Sequence, residues 1–358
     1  MNLKEILSGI SPFDRETYER AKRRTQDLLM PYLALGRLHE ISWQVVGITG
    51  KFPEGLPRKA IMVGAGDHGV VEEGVSFFPQ EVTRQMIFSF LKGWGAINVL
   101  ADHVGARVIV VDFGVKGPTD PLWLEAKDRF YSMKIREGTN NITKGPAMSP
   151  EEAEKVILKG FEVFEKEFEK GLDMIGTGDM GIGNTTSSAC VICAITGFAP
   201  EEIVGRGTGL DDEALRRKIQ VVQKALEVNK PDPNDPIDVL HKVGGLEIGG
   251  ITGWILGGAR SRIPVVIDGF ISTASALLAV KLEPKVKDYL IAGHLSAERG
   301  HKKALQYLGL KPILDLQMRL GEGTGACLAF EIVEAAVKIL SKMPSFEEAG
   351  VSRAKEKK

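Results

Sequence analysis

LDMIGTGDMGIGNTTSSACVICAIT, residues 172–196, runs from a short apolar segment through a glycine-rich loop into a helix-like stretch. MIGTGDM has the length and apolar character of a buried strand, and the glycines that follow end it. The loop then supplies Asn184, Thr185, Thr186, Ser187 and Ser188 ahead of the apolar run ACVICAI. A strand that exits through such a loop into a helix is half of a βαβ unit. Backbone N–H groups at the helix start, joined by hydroxyls, form an anion cradle. Gly181, Gly183, Asn184, Thr185 and Thr186 are therefore candidate phosphate-binding residues, with a purely structural turn as the alternative reading. GxxxxGK[ST] is absent, and the loop is not the GxGxxG dinucleotide fingerprint in its usual form.

The same grammar recurs along the chain. KAIMVGAGDHG (59–69), ARVIVVDFGVKG (106–117), IPVVIDGFIST (263–273), DYLIAGHLSAERG (288–300) and PILDLQMRLGEGTG (312–325) are apolar runs that end in turns. Helical spacing fills intervals such as 79–101 and 212–229. Buried runs alternating with helices predict an α/β fold of the Rossmann-like type, a mostly parallel sheet with helices on both faces. The glycine loops then collect at the edge where such sheets bind ligands. Residues 14–30 and 38–48 read as helices. The expected organisation is 1–50 as N-terminal helices of a small unit, 51–325 as the α/β domain, and 326–358 as a C-terminal helix and tail. GGLEIGGITGWILGGA (244–259) has glycines at near-helical spacing, but it is short and carries Glu247. That predicts a buried helix or a subunit contact rather than a membrane span.

Composition narrows the function classes. The chain has 358 residues, 43% of them hydrophobic, enough for a large core. Its formal net charge of -1 gives no global field toward nucleic acid or membrane. Three cysteines, an odd count in a long chain, suit a reducing compartment, and the polar N-terminus is unlike a signal peptide, so a cytoplasmic location is expected. Cys190 and Cys193 form a CxxC with no second pair, which reads as buried packing.

Other candidates need context. In QMRLGEGTGACLAFEIVEAAVKIL (317–340), Glu322 lies between two glycines where a ligand can approach closely. Its bland reading is a charge complementing a helix N-terminus. VGRGTGLDDEALRRKI (204–219) places Asp211 and Asp212 at a helix start, and Lys218 either reaches a phosphate or lies on a solvated face. Asp67 and His68 end a strand without the further ligands a metal site needs. Phe77, Phe78 and Gln80 offer either a wall for a flat apolar ligand or core packing. Asp268 follows an apolar run, as in phosphoribosyltransferase loops that hold ribose near a metal, but it lacks their second acid.

Taken together, GDHGVVEEGVSFFPQEVT, GDMGIGNTT, VGRGTGLDD and RLGEGTGACLAFEIVEAA resemble the nicotinate-nucleotide:dimethylbenzimidazole phosphoribosyltransferase family, in order and spacing, over about residues 35–340. The resemblance implies phosphoribosyl transfer from nicotinate mononucleotide to 5,6-dimethylbenzimidazole in cobalamin biosynthesis, by a homodimer. It implies Glu322 as general base and residues 181–186 as the phosphoribosyl loop. It places Lys218 and, less closely, Ser296 near the phosphate, and Gln80 and Leu320 at the benzimidazole pocket, where Phe78 supplies a wall. Asp179, the second candidate catalytic acid, stands where the family usually has Glu, one methylene shorter. The stretch 31–40 also departs from the family pattern.

This chemistry suits the residues. The pyridinium of nicotinate mononucleotide leaves as a neutral ring, so neither leaving-group protonation nor a cofactor or metal is expected. The acceptor base needs an apolar slot and one proton acceptor. The alternatives are transfer with another donor or base and a non-catalytic nucleotide-binding protein on the same fold. A dinucleotide-dependent oxidoreductase fits the glycine spacing poorly.

Overall fold

The structure is a computed structural model describing residues 1–119, 126, 128–207 and 209–353. Six strands form one parallel sheet: β1 (Lys59–Gly66), β2 (Ala106–Gly114), β3 (Phe130–Ser132), β4 (Met174–Met180), β5 (Val265–Ile267) and β6 (Leu290–Ala292). Their spatial order is β3-β2-β1-β4-β5-β6. This is the doubly wound order, with its switch point between the central β1 and β4. There Val63 sits opposite Val110 on one side and Gly178 on the other.

The helices are α1 (Leu3–Ser8), α2 (Arg15–Asp27), α3 (Arg37–Thr49), α4 (Glu81–Lys92), α5 (Ala96–Val104), α6 (Pro150–Glu169) and α7 (Asn184–Thr196). They continue as α8 (Pro200–Ile203), α9 (Asp212–Asn229), α10 (Pro236–Val243), α11 (Leu246–Arg260), α12 (Phe270–Leu282), α13 (His301–Leu308) and α14 (Thr324–Lys342). Strand residues alternate between two apolar layers, which is why the central strands read as unbroken apolar runs. Ile61, Val63 and Ala65 join α3, α4, α5 and α14 on one face. Ala60, Met62 and Phe113 join α6, α7, α11 and α12 on the other. A satellite cluster of Ala21, Leu28, Trp43, Val46 and Leu340 ties α2 and α3 to the end of α14, so the first and last segments of the chain meet.

Two expectations change. PILDLQMRLGEGTG is not a strand; apart from one bridge between Leu314 and His294, it is an irregular segment crossing the strand ends. Its apolar run stops after two residues, and Leu316 and Leu320 are exposed. The short β3 was missed because it is a partly exposed edge strand, Phe-Tyr-Ser, with no apolar run of its own.

The glycine-spaced segment 244–259 forms α11, a buried helix lying tight against α6. A Cβ on Gly253 would come within 2.1 Å of the Ile157 carbonyl oxygen, and one on Gly160 within 2.1 Å of the Gly250 carbonyl oxygen. Only bare backbone permits that approach. Gly253→Ala is therefore expected to lower stability by about 1–3 kcal/mol by forcing the helices apart. A urea unfolding midpoint equal to the parent's would contradict this.

Candidate active site

Because all six strands are parallel, their glycine loops meet at one edge, and two adjoining cavities open there. The narrower, about 100 Å³, is lined by Asp179, Gly181, Asn184, Thr185, His294, Ser296 and neighbouring residues. The wider, about 600 Å³, is lined by Phe78, Val82, Met86, Met180, Ile182, Arg319, Leu320 and Glu322. Met180, Ile182, Arg319 and Leu320 border both, so ligands in the two cavities would touch.

The narrow cavity is built on the start of α7. Gly183 takes φ +94° just before the helix, a left-handed turn that leaves the first N–H groups free of side-chain caps. Lys218, on α9, is almost fully buried, and its Nζ donates to Thr185 Oγ1 at 2.7 Å. Burial, only partly opposed by nearby Glu298, lowers its pKa to about 8. An ammonium held so poorly solvated beside a helix N-terminus gains by meeting an anion. Ser296 lines the same cavity, and its N–H donates to His301 Nδ1 at 2.8 Å. Burial holds the His301 pKa down at about 3, so the ring is neutral and its Nε2 hydrogen faces Thr273 Oγ1.

Glu322 forms the far wall of the wide cavity. It adopts φ +62° between Gly321 at +80° and Gly323 at +86°, a left-handed run uncommon for a side chain-bearing residue. A Cβ on Gly178 would lie 2.6 Å from the Glu322 carbonyl oxygen, so the loop rests directly on bare β4 backbone. The Glu322 side chain is 5% exposed, and Oε2 accepts a long bond from Ile97 N at 3.4 Å. Burial raises its pKa, and the charge of Asp268 raises it further. Asp179 lies beneath the same loop. Its Oδ2 accepts from Asn184 at 2.8 Å, while Oδ1 has no hydrogen-bond partner among the described residues. Burial first, then Asp268, Glu247 and Glu322, push its pKa well up, favouring the protonated form.

The structure gathers Glu322, Asp179, the 181–186 loop, Lys218, Ser296, Phe78 and Leu320 around the two cavities. Gln80 is turned elsewhere: its amide donates to the His68 carbonyl at 3.0 Å and accepts from Lys116 Nζ at 2.9 Å, in a separate cleft with Asp67 and Arg84. Phe78 lines the wide cavity, whereas Phe77 is 61% exposed. Asp211 is the N-cap of α9, accepting from Ala214 N. Cys190 and Cys193 are buried and free. His68 is fully buried between Ser187 Oγ at 3.0 Å and Glu247 Oε1 at 2.7 Å, and no cluster of three or more potential metal ligands occurs among the described residues. Sequence reasoning missed Val82, Met86, Met180, His294 and Arg319 as lining residues. Val82 and Met86 were legible as one α4 stripe, but its direction was not.

A doubly wound sheet with a helix start and a buried lysine beside an apolar cavity walled by a buried carboxylate has the layout of a group-transfer enzyme. The sequence profile of a family described as phosphoribosyltransferase matches residues 10–351. The nicotinate-nucleotide–dimethylbenzimidazole phosphoribosyltransferase of Desulforudis audaxviator is 52% identical over 353 residues, covering 99% of each chain. That of Geobacter sulfurreducens is 50% identical over 353 residues, covering 98% of each. The crystal structure of the Thermus thermophilus enzyme of that name superposes with a TM-score of 0.89 at 45% identity, over 95% of this chain and all of that one. The chain belongs to the nicotinate-nucleotide–dimethylbenzimidazole phosphoribosyltransferase family.

If Lys218 supplies the cation of the cradle, anion affinity must follow its protonation. Inorganic phosphate binding, followed by calorimetry, is expected to weaken about ten-fold per pH unit above pH 8 as the ammonium is lost. Lys218→Met should bind weakly at every pH. Affinity that is level from about pH 7 to 9.5 would remove Lys218 from the cradle.

Proposed function

We infer that the protein transfers phosphoribose from nicotinate mononucleotide to 5,6-dimethylbenzimidazole or a related base, forming α-ribazole 5′-phosphate and nicotinate for cobalamin biosynthesis. The observation that carries this reading is the adjacency of the two cavities, with Glu322 on the wall of the apolar one. The narrow cavity suits the 5′-phosphate, held by the α7 N-terminus, Thr185, Lys218 and Ser296. The wide one, lined by Phe78, Val82, Met86, Met180, Ile182 and Leu320, suits a flat apolar base.

In the transfer, the C1′–N bond of nicotinate mononucleotide breaks and its electron pair neutralises the pyridinium. A benzimidazole nitrogen forms the new bond from the opposite ribose face, inverting β to α. Positive charge on the benzimidazole acidifies its other N–H, whose proton passes to Glu322. Burial makes Glu322 a stronger base than an exposed glutamate and withholds water from the reacting atoms. A protonated Asp179 adds no second full negative charge beneath Glu322, which can therefore stay ionised until it takes the proton. Holding both substrates in line supplies the remaining acceleration. The exposed loop residues Tyr32, Leu33 and Leu35 support a homodimer, and the N-terminal helices with the end of α14 support a smaller unit beside the sheet domain. No described helix is long and apolar enough to cross a membrane; a cytoplasmic setting fits the reaction.

The test is nicotinate release from nicotinate mononucleotide with a panel of bases, products being identified by mass. Glu322→Gln is expected to bind nicotinate mononucleotide normally while kcat falls about 10²–10⁴-fold. Parent-like kcat in that variant would sink the role. Glu322 works ionised and its pKa is raised, so kcat should fall as pH drops through a value above the ~4.3 of a free glutamate. A kcat that stays level down to about pH 4 would exclude it as the base.

A further inference from the structure

Asp268 is the one acid of the VVIDGF segment, and the reaction as derived leaves it without a task. It stands at the end of β5, fully buried, and does not line either cavity. Its carboxylate instead crosses to the first turn of α14. Oδ1 accepts from Gly325 N at 2.7 Å and Ala326 N at 3.0 Å, and Oδ2 accepts from Gly323 N at 3.3 Å. These are orphan N–H groups at the start of the helix, which has no side-chain cap of its own because its N-cap is Gly323. The cap that α14 lacks is supplied from another strand, 55 residues earlier in sequence from Gly323.

We propose that Asp268 is a positioning residue for Glu322, holding the Gly321–Gly323 turn on the strand ends and setting the charge environment in which Glu322 accepts its proton. The turn needs such a hold. Three consecutive positive φ values include a non-glycine residue, and local chain preference alone would not keep them. On one side the loop rests on Gly178; on the other, the Asp268 carboxylate gathers the N–H groups where the turn enters the helix. Asp268 is itself held: its N–H donates to Thr177 Oγ1 at 3.3 Å, and Thr177 Oγ1 donates to Ser272 Oγ at 2.8 Å. Burial raises the Asp268 pKa, while His294 and the three N–H donors oppose it. Donors on both oxygens and the helix N-terminus favour the ionised carboxylate.

The charged and titratable groups around Glu322 come from several elements. Asp179 lies at the end of β4, Asp268 at the end of β5, and Arg319 in the preceding segment. His294, after β6, places Nε2 3.5 Å from Asp268 Oδ1. Asp268 is a fixed negative charge that acts on Glu322 in the direction burial does, toward a stronger base. Removing that charge while keeping the side-chain shape should therefore do two things: loosen the turn, and make Glu322 a weaker base that stays ionised to lower pH.

This inference rests on the phosphoribosyl transfer proposed above, so parent enzyme and Glu322→Gln are run beside the variants in single-turnover nicotinate release. Asp268→Asn is expected to lower the rate on the order of 10²-fold. KM for nicotinate mononucleotide should stay within about two-fold, since the phosphate cradle is untouched. The acid limb of the rate should move roughly one pH unit downward. Combined with Glu322→Gln, the substitution should add little further loss, because it acts through that residue. A parent-like rate, an acid limb that does not move, or full additivity in the double variant would each overturn the proposal. If Asp268→Asn does not fold, Thr177→Val serves: it frees the Asp268 backbone but keeps the charge. A several-fold lower rate with the acid limb in place supports the hold, and an unchanged rate overturns it. A parent enzyme that releases no nicotinate defeats the underlying function instead.

Discussion

The contact on which the site depends is that of the Glu322 carbonyl with Gly178. Any side chain at position 178 would occupy the space of the loop, since a Cβ there would lie 2.6 Å from that oxygen. With the strand bare, the 321–323 turn lies on the sheet edge, α14 starts at the correct height, and its apolar side chains fall onto the layer with Ile61, Val63 and Met174. The same placement puts the carboxylate of Glu322 beside the apolar cavity. Fold and chemistry thus share a single steric condition.

Electrostatics at this edge follow from collecting strand ends. Parallel strands deliver Asp179, Asp268 and, from the loop, Glu322 into one poorly solvated region, with Glu247 behind. In low dielectric, like charges in such a group disfavour one another's ionisation. The arrangement divides labour. Asp268 has three N–H donors that favour its charged form, Asp179 is pushed toward its protonated form, and the basicity of Glu322 is raised. Lys218 answers with the opposite displacement, a cation made less willing to carry charge until an anion arrives.

Local grammar made much of this legible. The strands at 59, 106, 174, 265 and 290 announced themselves because both sheet faces are buried, leaving no polar alternation to confuse them. The loop between β4 and α7 was readable because glycines, an amide and hydroxyls stand contiguous between strand and helix. The segment at 312–325 misled because a short apolar run resembles a strand whether or not a neighbour pairs with it. The orientation of Gln80 was not legible, because it depends on the His68 carbonyl and on Lys116 arriving from the β2 loop.

The layered α/β plan, the glycine-hydroxyl loop before α7 and the acid between glycines are each written in short contiguous stretches of the chain. Only the tertiary structure decided that Glu322 is not alone. Its neighbours Asp268, Asp179 and Ile97 lie 54, 143 and 225 residues away along the chain and meet it only where parallel strands end together. Spacing in sequence carries no record of such meetings, because they are fixed by strand order and by which backbones are bare enough to touch.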